Sequence, residues 1–171
     1  MEDLRSAPLA PVGSSDHIRG TLGAPIVVEY ADFECPFCAL LHTRLSALRL
    51  RRVFRHFPMR SKHPRAWPAA AAVEAADRQG AFWPMHDALF ADQGRLEDPH
   101  IWRRAEQLGL DLERFEADRR DPTTTAKIQH HFDAAIRAGV VTTPTIFIAN
   151  EPFAGAPTPE LLSRLAALTR T

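Results

Sequence analysis

The hydrophobic positions of this chain change period several times. Ile26 to Tyr30 is a short, mostly apolar, β-rich run, which predicts a strand covered on both faces. From Cys35 to about Leu50 the apolar positions Phe37, Leu41, Leu45 and Leu48 recur every three or four residues, as on one face of a helix. Arg52 to Phe57 alternates as a second strand, and Pro58 ends it. From His63 to about Gly139 the pattern is helical. Asp98-Pro99 and Asp121-Pro122, and later Thr158-Pro159, each set a capping side chain before a proline suited to a first helical position. Gly80, Gly94 and Gly109 stand where helices should stop. Thr145 to Ala149 returns to strand character, Asn150-Glu151-Pro152 turns, and Phe153-Ala154 pairs back as a short edge. Thr158 to Leu168 closes as an amphipathic helix.

The order is strand, helix, strand, helical block, strand, hairpin strand, helix. This predicts an α/β fold in which residues 19–62 and 140–171 build one layered domain. Residues 63–139 are then a helical insertion with apolar faces of its own, and residues 1–18 a flexible lead. The 171 residues suit one domain carrying an insertion, and 45% apolar content supports a real core. Lys plus Arg, 21, balances Asp plus Glu, 21, so no strong field favours nucleic acid or an anionic membrane. No apolar run approaches the roughly 20 residues of a membrane span. The polar, Pro- and Ser-rich N-terminus lacks the basic and apolar regions of a secretory signal and points to the cytoplasm. Removal of a leader would leave the same N-terminus on a periplasmic or other extracytoplasmic protein.

Chemistry enters at Cys35 and Cys38, the two cysteines of the chain, spaced C-x-x-C at the junction of a predicted strand and helix. The first turn of a helix offers unpaired N–H groups and the positive end of the helix dipole, and both favour a thiolate. As a structural staple, so short a loop would add only about 2 kcal/mol. A structural zinc, using Cys35, Cys38 and a third ligand such as His42, lacks a second ligand pair. A redox dithiol fits best: Cys35 as nucleophile, Cys38 one turn later as the resolving thiol. Pro36 suits a first turn. Phe37 adds no charge or donor, leaving backbone donors and the dipole to stabilise Cys35.

Glu29 sits in the first strand, six residues before Cys35. Buried there, its carboxyl would have a raised pKa and could pass a proton to or from Cys38. Pro144, in Val141-Thr142-Thr143-Pro144-Thr145, reads from composition alone as an ordinary strand starter. His56, His63 and His86 read as structural or surface groups. Trp67, Trp83 and Trp102 read as core of the helical block, and Phe33 and Phe37 as an apolar rim for an extended chain.

The stretches EYADFECPFC, RHFP at 55–58, FWPMHDALF at 82–90 and TTPTIFIAN at 142–150 together resemble the DsbA family of thiol:disulfide oxidoreductases. The resemblance implies a thioredoxin fold with an inserted helical domain and a cis Pro144 beside the dithiol. It implies that the backbone of Thr143 pairs with an extended substrate. Glu29 matches the family's buried acid, Cys35 its attacking cysteine and Cys38 its resolving one. The best-known oxidases of the family carry His where Phe37 stands here, a departure that bears on the redox potential.

The expected activity is thiol–disulfide exchange with protein substrates through a mixed disulfide, in a bacterial monomer that needs no metal or organic cofactor. Its redox partner would be thioredoxin-, glutathione- or quinone-linked. Two rivals are a glutathione-dependent transferase or isomerase on the same fold and a non-enzymatic peptide-binding or chaperone module.

Overall fold

The computed structural model describes residues 7–170. Five strands form one mixed sheet in the order β1-β3-β2-β4-β5: β1 His17–Arg19, β2 Ile26–Ala31, β3 Arg51–His56, β4 Thr145–Ile148 and β5 Glu151–Ala154. The central pair, β2 and β3, runs parallel, with Val28 opposite Val53 and Glu29 opposite Phe54. β1 and β4 flank that pair antiparallel. Helix α1, Pro36–Ser46, carries the chain from β2 to β3. Between β3 and β4 lie five helices: α2 Ala66–Asp77, α3 Phe82–Ala91, α4 Asp98–Gln107, α5 Leu112–Arg120 and α6 Pro122–Arg137. Helix α7, Pro159–Leu168, ends the fold.

Alternation along the central strands feeds two cores. Val27, Ile146 and Ile148 pack against Leu41 and Leu45 of α1 and Leu161 and Leu165 of α7. Val28, Tyr30, Val53 and Phe147 face Ala135 of α6 and its continuation, Ala138 and Val140. The insertion builds a third core, in which Ala72, Val73, Met85, Leu89, Ile101 and Phe115 meet Phe33, Phe54 and both cysteines. The segment that carries the two cysteines thus anchors in the insertion through Phe33.

The lead is only partly free. Residues 1–6 lie outside the described residues, but 17–19 form the edge strand β1, and Asp16 makes a buried ion pair with Arg55. Gly20 permits this docking. Its φ is +116°, and a Cβ there would lie 2.1 Å from the Leu50 carbonyl oxygen. The β4–β5 turn falls on Ala149-Asn150, both at positive φ, one residue earlier than the pattern suggested; Pro152 sits within the edge strand.

Candidate functional site

β2 ends at Ala31, and Asp32-Phe33-Glu34 turns the chain so that Cys35 becomes the N-cap of α1, in extended conformation, with Pro36 in the first turn. The Cys35 amide donates to the Asp32 carbonyl at 3.1 Å, closing that turn. Asp32 organises it from inside: its buried carboxylate accepts from the Glu34 amide at 2.8 Å, the Met59 amide at 2.9 Å and His63 Nδ1 at 2.8 Å. The insertion grips the same segment. Gln93 Nε2 donates to the Phe33 and Cys35 carbonyls at 2.8 and 2.9 Å, and Arg65 pairs with Glu34. Sequence reading missed Gln93, Asp32 and Arg65, because nothing local marks a contact made across 31 to 60 residues.

Both cysteines are free and buried, but their thiols differ. The Cys35 pKa is lowered from the usual 9.0 to about 6. The largest cause is a hydrogen bond from the Cys38 thiol; burial opposes it, and the amides of Phe37 and Cys38 assist. The neighbouring thiol is therefore a principal stabiliser, where the sequence had suggested backbone and dipole alone. Burial pushes Cys38 well above 9.0, with the Cys35 contact and the Asp32 charge adding to it. The Asp32 amide points at Cys38 Sγ from 3.5 Å.

The loop before β4 closes over Cys35. The Thr143–Pro144 peptide is cis, and the Cys35 thiol is 3.4 Å from the Thr143 carbonyl oxygen, to which it can donate. Thr143 Oγ1 lies 3.6 Å from Met59 Sδ. Beyond Met59 an apolar groove of about 510 Å³ is lined by Phe57, Trp67, Phe132, Ile136 and Val141 among others. Phe37 is half exposed beside Cys35, whereas Phe33 is fully buried and belongs to the insertion's core, not to a rim. Trp102, at 44% exposed, is likewise not core.

Glu29 is buried, but not as an isolated carboxyl. Arg52, on the neighbouring strand, donates to it at 2.7 Å from an equally buried guanidinium. Among the described residues two groups of side chains have the donor atoms for a metal ion, His17/His56/Glu74 and His42/His86/Asp87; neither includes a cysteine. Cationic groups already sit on both. Lys127 contacts Glu74 at 2.9 Å, Arg19 contacts Asp87 at 2.8 Å, and Arg52 lies 3.4 Å from His42. Those charges oppose a divalent cation. The first group instead ties α2 to β1 and β3, with His17 and His56 both on Glu74 Oε1 at 2.5 and 2.8 Å.

Residues 14–166 match the family model described as Thioredoxin. The fold superimposes on a thioredoxin-like oxidoreductase from Silicibacter pomeroyi with a TM-score of 0.80 at 26% identity, covering 92% of this chain and 94% of that one. It superimposes on the thiol-disulfide exchange protein α-DsbA2 of Wolbachia pipientis with a TM-score of 0.78 at 20% identity, covering 91% and 88%. In sequence, 139 residues are 45% identical to the Na⁺/H⁺ antiporter NhaA 3 of Salinispora tropica, 78% of this chain but 21% of that protein. The chain thus spans about a fifth to a quarter of the length of such curated relatives. Among the described residues no helix is long and apolar enough to cross a membrane.

Proposed function

The chain belongs to the thioredoxin family, and we propose that on its DsbA-like scaffold it exchanges disulfides with cysteines of other polypeptides through Cys35. The observation that carries this reading is the inequality of the two thiols. Cys35, with a pKa of about 6, is mostly thiolate at neutral pH, while Cys38 is held as a thiol beneath it. The Cys35 thiolate attacks a substrate disulfide, a Cys35–substrate disulfide forms, and the second substrate sulfur leaves as thiolate. Cys38 then attacks Cys35 Sγ and releases the substrate reduced; the reverse sequence oxidises it. The Thr143 backbone beside Cys35 supplies an edge for an extended substrate segment. Antiport is not part of this proposal, since the chain matches only about a fifth of those relatives' length.

Trapping tests it. Cys38→Ala incubated with a disulfide-bonded peptide should accumulate an adduct of one peptide per chain by intact mass. Cys35→Ser should form none. An adduct formed with glutathione but with no cysteine peptide would point to the glutathione-dependent rival. No adduct with either would sink the exchange reading.

A further inference from the structure

We propose that His63, oriented by Asp32, carries the proton that Cys38 must lose and the departing substrate thiolate must gain; this rests on the exchange reading above. Cys38 is almost fully buried, so its proton needs a route to a base. Glu29 is poorly placed for that role, with Arg52 donating to it at 2.7 Å. Asp32 is nearer to the sulfur but is itself occupied. Its side chain is fully buried, one oxygen takes the Glu34 amide, and the other takes the Met59 amide and His63 Nδ1.

Backbone amides can only donate, so the Asp32 carboxylate is the acceptor in this cluster and His63 Nδ1 carries the hydrogen that faces it. The tautomer that results leaves Nε2 with a free lone pair. The His63 ring makes no other hydrogen bond or ion pair to a described residue, and the side chain is 21% exposed, so Nε2 can meet solvent. Its loop also borders the reacting sulfur. The His63 amide donates to the Met59 carbonyl at 2.8 Å, Met59 Sδ touches Thr143, and the Thr143 carbonyl faces Cys35. Asp32 is the charged group against the ring; the other charged residues near it in the chain are Arg60, turned onto Trp67, Lys62, and Arg65, which pairs with Glu34.

The step balances without a co-reactant. Cys38 gives its S–H proton through solvent to His63 Nε2, and its sulfur bonds to Cys35. The Cys35–substrate bond breaks, and the electron pair leaves on the substrate sulfur. The imidazolium, opposed by the Asp32 charge, returns one proton to that sulfur. His63 is thus the carrier and Asp32 a positioning residue.

Rapid-quench resolution of the Cys35–peptide mixed disulfide, from about pH 5 to 8.5, tests this. His63→Asn keeps a side-chain N–H where Nδ1 lies and can still satisfy Asp32. It should fold, keep the Cys35 titration near 6 and form the mixed disulfide at the wild-type rate. Its resolution should slow by about tenfold or more and follow a different pH profile from the wild type. Wild-type resolution with a wild-type pH profile in His63→Asn would overturn the proposal, since satisfying Asp32 would then be the ring's whole role. Should that variant not fold, imidazole added to His63→Gly decides: partial rescue of resolution supports the carrier, no rescue overturns it. A wild type that forms no mixed disulfide would bring down the exchange reading together with this one. A wild type that forms it beside an unaffected His63→Asn brings down this one alone.

Discussion

The reduction potential of the Cys35–Cys38 pair should change its pH slope near pH 6. Reduction of the disulfide takes up two electrons and as many protons as the reduced protein holds on its sulfurs. Below about 6 both thiols are protonated; above it Cys35 is a thiolate, while Cys38, raised well above 9.0, keeps its proton. Each proton taken up changes the equilibrium tenfold per pH unit, about 30 mV for a two-electron couple. The potential should therefore fall by about 60 mV per pH unit below 6 and by about 30 mV above it. The sign follows from linkage. The Cys35 pKa is lower in the folded, reduced chain than in an unfolded one. Its stabilisation of the reduced protein is therefore fully present above 9.0 and is lost as pH falls through about 6. At pH 7 the difference between 9.0 and about 6 amounts to roughly a tenfold stabilisation, about 1.4 kcal/mol or about 30 mV toward a more oxidising disulfide. Equilibration against glutathione buffers at half-unit pH steps from about 4.5 to 8.5, read by the thiol content of acid-quenched samples, gives the curve. A single slope of about 60 mV per pH unit from about pH 4.5 through 7.5, with no break near 6, would refute a stabilised Cys35 thiolate.

Three further outcomes follow from named contacts. Cys38→Ala removes the largest cause of the low Cys35 pKa and should move the thiolate midpoint, read at 240 nm, up from about 6; Cys38→Ser, which keeps a donor, should move it less. Arg52→Met leaves Glu29 buried without its partner and should cost about 3–5 kcal/mol in urea unfolding, most of it recovered by adding Glu29→Leu; a loss below about 1 kcal/mol would contradict the buried ion pair. Gly20→Ala drives a Cβ into the Leu50 carbonyl at a positive φ and should cost about 1–3 kcal/mol, with faster amide exchange in β1; an unchanged melting temperature would count against the docking of that strand.

Strand and helix periods were legible because each depends on residues close in sequence. The apolar run at 26–30 fixes β2, and Asp121 and Thr158 do cap their helices, accepting from the Thr123 and Leu161 amides at 2.7 and 3.2 Å. At the third such site α4 starts one residue early: Glu97 is the N-cap, with no side-chain cap, and Asp98 lies inside the first turn. The edge strand β1 was illegible because His-Ile-Arg has no strand pattern of its own and exists by pairing with β3. The Glu29–Arg52 pair was hidden for a similar reason. Glu29 alone looks like a carboxyl seeking a proton, and only the parallel register that sets Val27 opposite Arg52 brings the guanidinium to it. Phe33 and Phe37, four residues apart, looked equivalent; the turn before α1 sends one into the insertion and leaves the other half exposed.

These long-range contacts give the insertion a physical task. A dithiol at the start of a helix needs its preceding loop held still, because the amides and the Cys38 thiol that stabilise Cys35 do so only in one geometry. The strongest polar holds on that loop from elsewhere in the fold come from the chain beyond β3: Met59 and His63 on Asp32, Arg65 on Glu34, Gln93 on the Phe33 and Cys35 carbonyls. The insertion is in turn fixed to the sheet. Glu74 of α2 takes His17 from β1 and His56 from β3, with Lys127 of α6 on its other oxygen. Burial opposes ionisation of Glu74, yet these hydrogen bonds hold its carboxyl well below the usual carboxylate range. A change at Glu74, although it lies on the sheet-facing side of α2 and not on the active-site loop, should therefore reach the thiols as a shift in the Cys35 midpoint. A surface helix with no such ties would leave that midpoint where it is.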